Sequence, residues 1–213
     1  MILYLSSYRF GDQAKRLRDL VTGPRHAAVI ANALDFATDL TRKEDSVGQA
    51  ISGLRELGFA ANEIDLKLYF GNPEALRYRL EGFGLIWTLG GNSFLLRSAM
   101  RQSGLDTFLV AHQESDLVYG GFSAGVVVVT PTLRGIHLVD PPEVVAQAYG
   151  ADILWDGLSI VPYSIAPHYN SRHPESELID HVIEYFRSHR MPFKALRDGE
   201  VIITGAARST RNH

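Results

Sequence analysis

The sequence predicts an α/β fold, a mostly parallel sheet sandwiched by helices, formed as one domain over residues 1–213. Three observations carry that expectation. Short apolar runs rich in β-branched and aromatic residues recur along the chain. Segments of helical periodicity lie between them, the alternation that a parallel sheet covered on both faces produces. Finally, 213 residues with 46% hydrophobic and 21% charged positions are enough for one sizeable core.

In chain order, the runs ILYLSS (2–7), HAAVIANAL (26–34), IDLKLYF (64–70), LIWTLGG (85–91) and LVYGGFS (117–123) read as strands. Between the second and third, Ala50, Ile51, Leu54 and Leu57 share one helical face, and Thr41 with Glu44 reads as a capping box at the helix start. After Gly91 and Asn92, Phe94, Leu95, Ala99 and Met100 mark a helix that opens directly from the fourth strand. The valine-rich segment after Ser123 fits a buried helix, although four β-branched residues in a row weaken that reading. The run LSIVPYSIAP ends as a strand just before His168, and Leu178, Ile179, Val182, Ile183 and Phe186 recur at helical spacing after Pro174. FKALRDGEVIIT closes the chain as two strands around Asp198-Gly199, a hairpin turn signal.

A net charge of -3 gives no basic excess, so nucleic acid and anionic membrane are not expected partners. No stretch approaches transmembrane length, and the N-terminus lacks a basic region before its short apolar run, so a cytoplasmic, unprocessed chain is expected. The sequence contains no cysteine, which removes disulfides, thiolate metal sites and a cysteine nucleophile.

Gly121-Phe122-Ser123-Ala124-Gly125 fits G-x-S-x-G, in which a serine occupies a strained turn between strand and helix and small neighbours make the turn possible. The same pentapeptide is equally at home in a glycine-rich structural turn. A serine nucleophile needs a base, and histidine titrates near neutrality. Of eight histidines, His168 stands at a strand end beside a loop, where α/β proteins place their sites. His112, His181 and His189 fall on helices and His26 at a strand start, while His137 and His173 are weaker competitors. Asp140 lies between serine and histidine, giving one hydrolase order of serine, acid and base, with Glu143 as its rival; an acid before two prolines is also an ordinary turn residue. The Ala124 N–H is placed to serve an oxyanion hole, and the Gly91 N–H is a candidate second donor.

Taken together, WTLGGNSFLL, GGFSAGVVVVTPT and IAPHYNS, in this order, resemble peptidase family S51, the serine peptidases that include peptidase E, an aspartyl dipeptidase, and more distantly cyanophycinase. ALRDGEVIITG is similar to the closing hairpin of that family, and the resemblance covers about residues 27 to 205. It implies a fold like that of class I glutamine amidotransferases (flavodoxin-like), with Ser123 as nucleophile, His168 as base, the Gly91 and Ala124 amides as oxyanion hole, and Asn92 bordering the site. No cofactor and no metal are expected. Relatives carry an acid at or just after the position of His137, whereas this chain has His137 and Leu138 and reaches its first acid at Asp140. Either Asp140 takes the role or His168 lacks a carboxylate partner, a loss that alone costs about 10⁴ in turnover.

Aspartyl dipeptidases resemble one another in using arginine against an N-terminal aspartate, and a guanidinium suits a carboxylate. Arg134 and Arg172 lie close in sequence to the proposed triad and are the candidates here. The expected function is hydrolysis of short peptides by a serine exopeptidase, with N-terminal aspartate as one substrate choice. A peptidase-like binding protein and a small-molecule esterase are the alternatives. A zinc enzyme is disfavoured because His168 and His173 are five apart rather than the four that aligns two ligands on a helix.

Overall fold

The strands leading to Gly91 and Ser123 are parallel neighbours that end at the same edge of one sheet, while His168 follows a strand of a second, two-stranded sheet. The computed structural model describes residues 1–36 and 40–205. Its elements are β1 (Ile2–Ser6), α1 (Ala14–Leu20), β2 (His26–Ile30), α2 (Leu40–Glu56), β3 (Ala60–Glu63), α3 (Pro73–Leu80), β4 (Leu85–Thr88), α4 (Ser93–Ser103), α5 (Leu105–Ala111) and β5 (Val118–Phe122). They continue with α6 (Ala124–Val127), α7 (Val144–Tyr149), β6 (Ser164–Ala166), α8 (Ser176–Ser188), β7 (Phe193–Ala195) and β8 (Val201–Thr204). The main sheet has the order β3-β2-β4-β5-β1-β8, parallel throughout except for β8, which runs antiparallel to β1. A second, two-stranded parallel sheet pairs β6 with β7.

Alternation along the strands feeds two cores. Ile2, Tyr4, Leu85 and Trp87 pack on the face covered by α1 and α2, while Leu3, Leu5 and Ile86 pack on the other with α4 and α5. Both faces are therefore apolar, as the near-continuous hydrophobic runs require. A third cluster joins α6, α8 and β6 through Val127, Ala166, Ile179, Val182 and Phe186. Among the described residues no helix is long and apolar enough to cross a membrane.

The parallel α/β architecture agrees with the sequence, and four local readings change. The run 64–70 is not a strand: β3 ends at Glu63, and the Asp65 carboxylate accepts from the Lys67 N–H to start a 3-10 turn over Leu66–Tyr69. Residues 32–34 likewise leave β2 for a 3-10 turn. α2 already includes Thr41, which places that residue within the first turn rather than before it; the preceding residues 37–39 lie outside the described ones. Finally, the two closing strands do not pair with each other, since β7 joins β6 and β8 joins β1. The Asp198-Gly199 turn thus carries the chain from one sheet to the other.

Candidate active site

The turn at Ser123 is shaped by what its neighbours lack. Ser123 sits at φ 51° and ψ −116°, a conformation that costs a non-glycine residue strain and is held only when its surroundings fix it. A Cβ on Gly121 would lie 2.1 Å from Thr88 Oγ1, and one on Gly125 would lie 2.3 Å from the same atom. β5 and α6 can therefore pack against β4 only with glycine on both sides of the serine. The Ser123 N–H donates to the Ser7 carbonyl at 3.2 Å, which ties the turn to the end of β1.

His168 follows β6 at φ 62° and is buried, 1% exposed. Its N–H donates to Ser7 Oγ at 2.8 Å, and its Nδ1 lies 2.8 Å from Asp198 Oδ1. A carboxylate can only accept, so Nδ1 carries the proton and Nε2 keeps its lone pair. Nε2 is buried and without a hydrogen-bond partner among the described residues. Burial, the largest influence, pulls the His168 imidazole below the usual histidine range; the neighbouring His173 adds to this, while Asp198 and Glu175 oppose it. The neutral, proton-accepting form is therefore favoured.

Asp198, not Asp140, is the carboxylate against His168. Ser7 Oγ lies 2.9 Å from the same Oδ1, and the Asp198 N–H donates to Ser171 Oγ at 2.8 Å, so the acid is fixed from both sides. Asp140 sits elsewhere: its Oδ2 accepts from the Ser93 N–H at 2.8 Å, at the start of α4. Desolvation, only partly offset by Ser93, pushes its carboxyl up to about 7. Its rival Glu143 is exposed at the start of α7.

A cavity of about 350 Å³ opens over this edge, lined by Ser123, His168, Gly91, Tyr8, Arg9, Arg42, Trp87, His173 and Glu175 among others. Gly91 has φ 137° and a Cβ there would lie 2.4 Å from the Ala33 carbonyl, so only glycine lets this turn close. Among the described residues, neither the Gly91 nor the Ala124 N–H has a backbone partner in the turns and loops around it. Asn92 is buried and committed, its Oδ1 accepting from Phe94 and Leu95 and its Nδ2 donating to the Pro141 carbonyl. It supports the turn rather than lining the cavity.

The two arginines expected from sequence do not line the cavity either. Arg134 lies over the Trp155 ring at 5.0 Å, and Arg172 is exposed. Arg9 and Arg42 take their place, from the loop after β1 and from α2. His137 accepts from the Gly135 N–H and packs edge-on to Trp155 and Tyr185, a structural position.

Among the described residues one side-chain group has ligand atoms close enough for a metal: His168, His173 and Glu175, all within 4.8 Å of one another. The two imidazoles, however, stack 3.7 Å apart at 12°, so their in-plane lone pairs run side by side instead of converging. That disposition does not suit a shared tetrahedral ion.

The comparisons with known proteins give the family and the fold. The model of peptidase family S51 matches residues 14–208. The chain belongs to that family. It is 31% identical to a peptidase E of Streptomyces coelicolor over 61% of this chain and 51% of that protein. It is 34% identical to a probable alpha-aspartyl dipeptidase of Drosophila melanogaster over 54% of this chain and 47% of that protein. The chain thus spans about half the length of these two relatives. The crystal structure of a peptidase from an acI-B1 Actinobacterium superposes with a TM-score of 0.71 at 15% identity, covering 95% of this chain and 82% of that one, which establishes a shared fold.

Sequence reasoning missed Asp198, Ser7, Arg9, Arg42 and Glu175. Asp198 had a signal, since Asp-Gly marks a turn, but the signal concerned the backbone. Ser7 had a weaker one, a small polar residue where an apolar strand ends.

Proposed function

We propose that this S51 family member is a serine exopeptidase that hydrolyses short peptides through an acyl-enzyme on Ser123. The observation that carries the reading is the pairing on His168, a residue that lines the cavity with Ser123: Asp198 holds Nδ1 at 2.8 Å, and the other nitrogen is buried and unpartnered among the described residues. His168 Nε2 takes the Ser123 proton as the hydroxyl attacks the scissile carbonyl, then returns it to the leaving amine. Asp198 stabilises the imidazolium that forms between those steps. The Ala124 and Gly91 N–H groups receive the developing oxyanion. Water then attacks the ester, with His168 acting as base a second time, and frees Ser123.

The cavity volume suits a short peptide rather than a folded chain. Arg9 and Arg42 make an acidic N-terminal side chain the favoured occupant, replacing Arg134 and Arg172 in that role. The reading includes the cytoplasmic setting expected above. Leu138, which motivated a non-catalytic alternative, loses its force once Asp198 partners His168.

The test is a panel of dipeptides and dipeptide amides varied at the N-terminal residue, with Ser123→Ala as control and release of free amine as readout. Aspartate-selective cleavage that falls by about 10⁶ in the variant is the expected result. Cleavage unchanged in Ser123→Ala overturns the mechanism, and preference for simple acyl esters over every peptide moves the substrate class.

A further inference from the structure

Among the described residues lining the cavity, Glu175 is the only carboxylate, and Arg9 and Arg42 are the only guanidiniums. The place of this carboxylate is specific: it lies within 4.8 Å of a ring nitrogen of His168. Glu175 occupies the N-cap position of α8, yet its side chain makes no cap hydrogen bond there. Its Oε2 lies 3.9 Å from His173 Nδ1, a nitrogen that accepts from the Glu175 N–H, and the side chain is 43% exposed. This carboxylate thus borders His168, and among the described residues no ammonium or guanidinium pairs with it.

We propose that Glu175 receives the free α-ammonium group of the substrate and so restricts the cavity to chain ends; the inference rests on the serine exopeptidase reading. In the acyl half of such a substrate the ammonium stands one carbon from the scissile carbonyl. Its acceptor must therefore lie close to the base and within the cavity that Ser123 shares; Glu175 stands against His168 in that wall, and Arg9 and Arg42, being cations, cannot serve. An ammonium against a carboxylate forms a charge-assisted hydrogen bond, strengthened where water is partly excluded. A blocked N-terminus would displace solvent from Glu175 and give nothing back, which rejects internal peptide bonds.

The experiment measures kcat/KM for aspartyl p-nitroanilide and its Nα-acetyl derivative with the native protein and Glu175→Gln, alongside labelling of Ser123 by an uncharged fluorophosphonate. The native protein is expected to favour the free amine about 100-fold. In Glu175→Gln that preference falls about 10- to 100-fold, chiefly through KM for the free amine, while Ser123 still labels. Glu175 also helps hold the His168 imidazole up, and a loss acting only by that route would slow both substrates alike and overturn the proposal. An unchanged ratio with normal labelling overturns the ammonium anchor alone, as does equal hydrolysis of both substrates by the native protein. A variant that no longer labels makes Glu175 a support for His168 and likewise overturns it. Absence of labelling and of all cleavage in the native protein overturns the serine reading and this inference together.

Discussion

The segment Gly135–Glu143 and the turn Leu196–Glu200 each deliver one aspartate to the same end of the molecule, and they use it in opposite ways. Asp140 accepts from the Ser93 N–H and is desolvated enough that its carboxyl rises to about 7. Asp198 keeps 26% of its side chain exposed, sits against His168 Nδ1, and is braced by Ser7 and Ser171. An acid that supports a base must meet the correct ring nitrogen, and an acid that caps a helix must meet backbone N–H groups. Closeness in chain order to Ser123 decided neither.

The sharpest break between the two is by substitution. Asp198→Asn removes the charge that stabilises the imidazolium and lets the amide donate to Nδ1, inverting the tautomer; kcat for a cleaved dipeptide is expected to fall by about 10⁴. Asp140→Asn is expected to change kcat less than tenfold, because the amide oxygen can still accept from Ser93. Steady-state rates of both variants on one substrate check the pair. If Asp140→Asn proved the more damaging, the assignment of roles would be reversed.

A smaller effect tests how Asp198 is held. Ser7 Oγ accepts from the His168 N–H and lies 2.9 Å from Asp198 Oδ1, so one hydroxyl sets the spacing of acid and base. Ser7→Ala leaves the His168 N–H buried without its partner, and kcat is expected to drop about 10- to 100-fold. The pH profile adds a second readout. Because burial lowers the His168 pKa, the acid limb of kcat/KM should lie below the usual histidine value, and it should persist in Ser7→Ala if the hydroxyl only positions the pair.

The alternation of apolar runs made the parallel sheet legible, because burial on both faces writes itself into composition. Ser123 and His168 were legible for a related reason, since small residues at a strained turn and a polar residue at a strand end are local facts. Asp198 was not. β6 and β7 pair in parallel with Ala166 opposite Ala195, so His168 and Asp198, two and three residues further on, emerge at the same end. That pairing joins segments about 30 residues apart through the third apolar cluster, and no local periodicity names a strand's partner. The same gap explains the closing strands, where Asp-Gly correctly marked a turn while the strands around it joined different sheets. It explains the arginines too, because nearness in sequence put forward Arg134 and Arg172 whereas the chain path brings Arg9 and Arg42 to the cavity.

The smallest effect concerns stability and separates the two aspartates without any substrate. Asp140 has a folded-state pKa of about 7 against an ordinary 3.8, so folding favours its protonated form. Its contribution is fully present at low pH and is lost as pH rises from the ordinary carboxylate range through 7. Asparagine cannot ionise and escapes that loss. Asp140→Asn should therefore gain on the native protein between pH 5 and pH 8, by about 1–2 kcal/mol because Asp140 is only half-buried and solvent reduces the effect, in denaturant unfolding at the two pH values. A difference that stays constant across this range would mean that Asp140 is ionised throughout, and its hydrogen bond to the start of α4 would then be a charge-assisted cap.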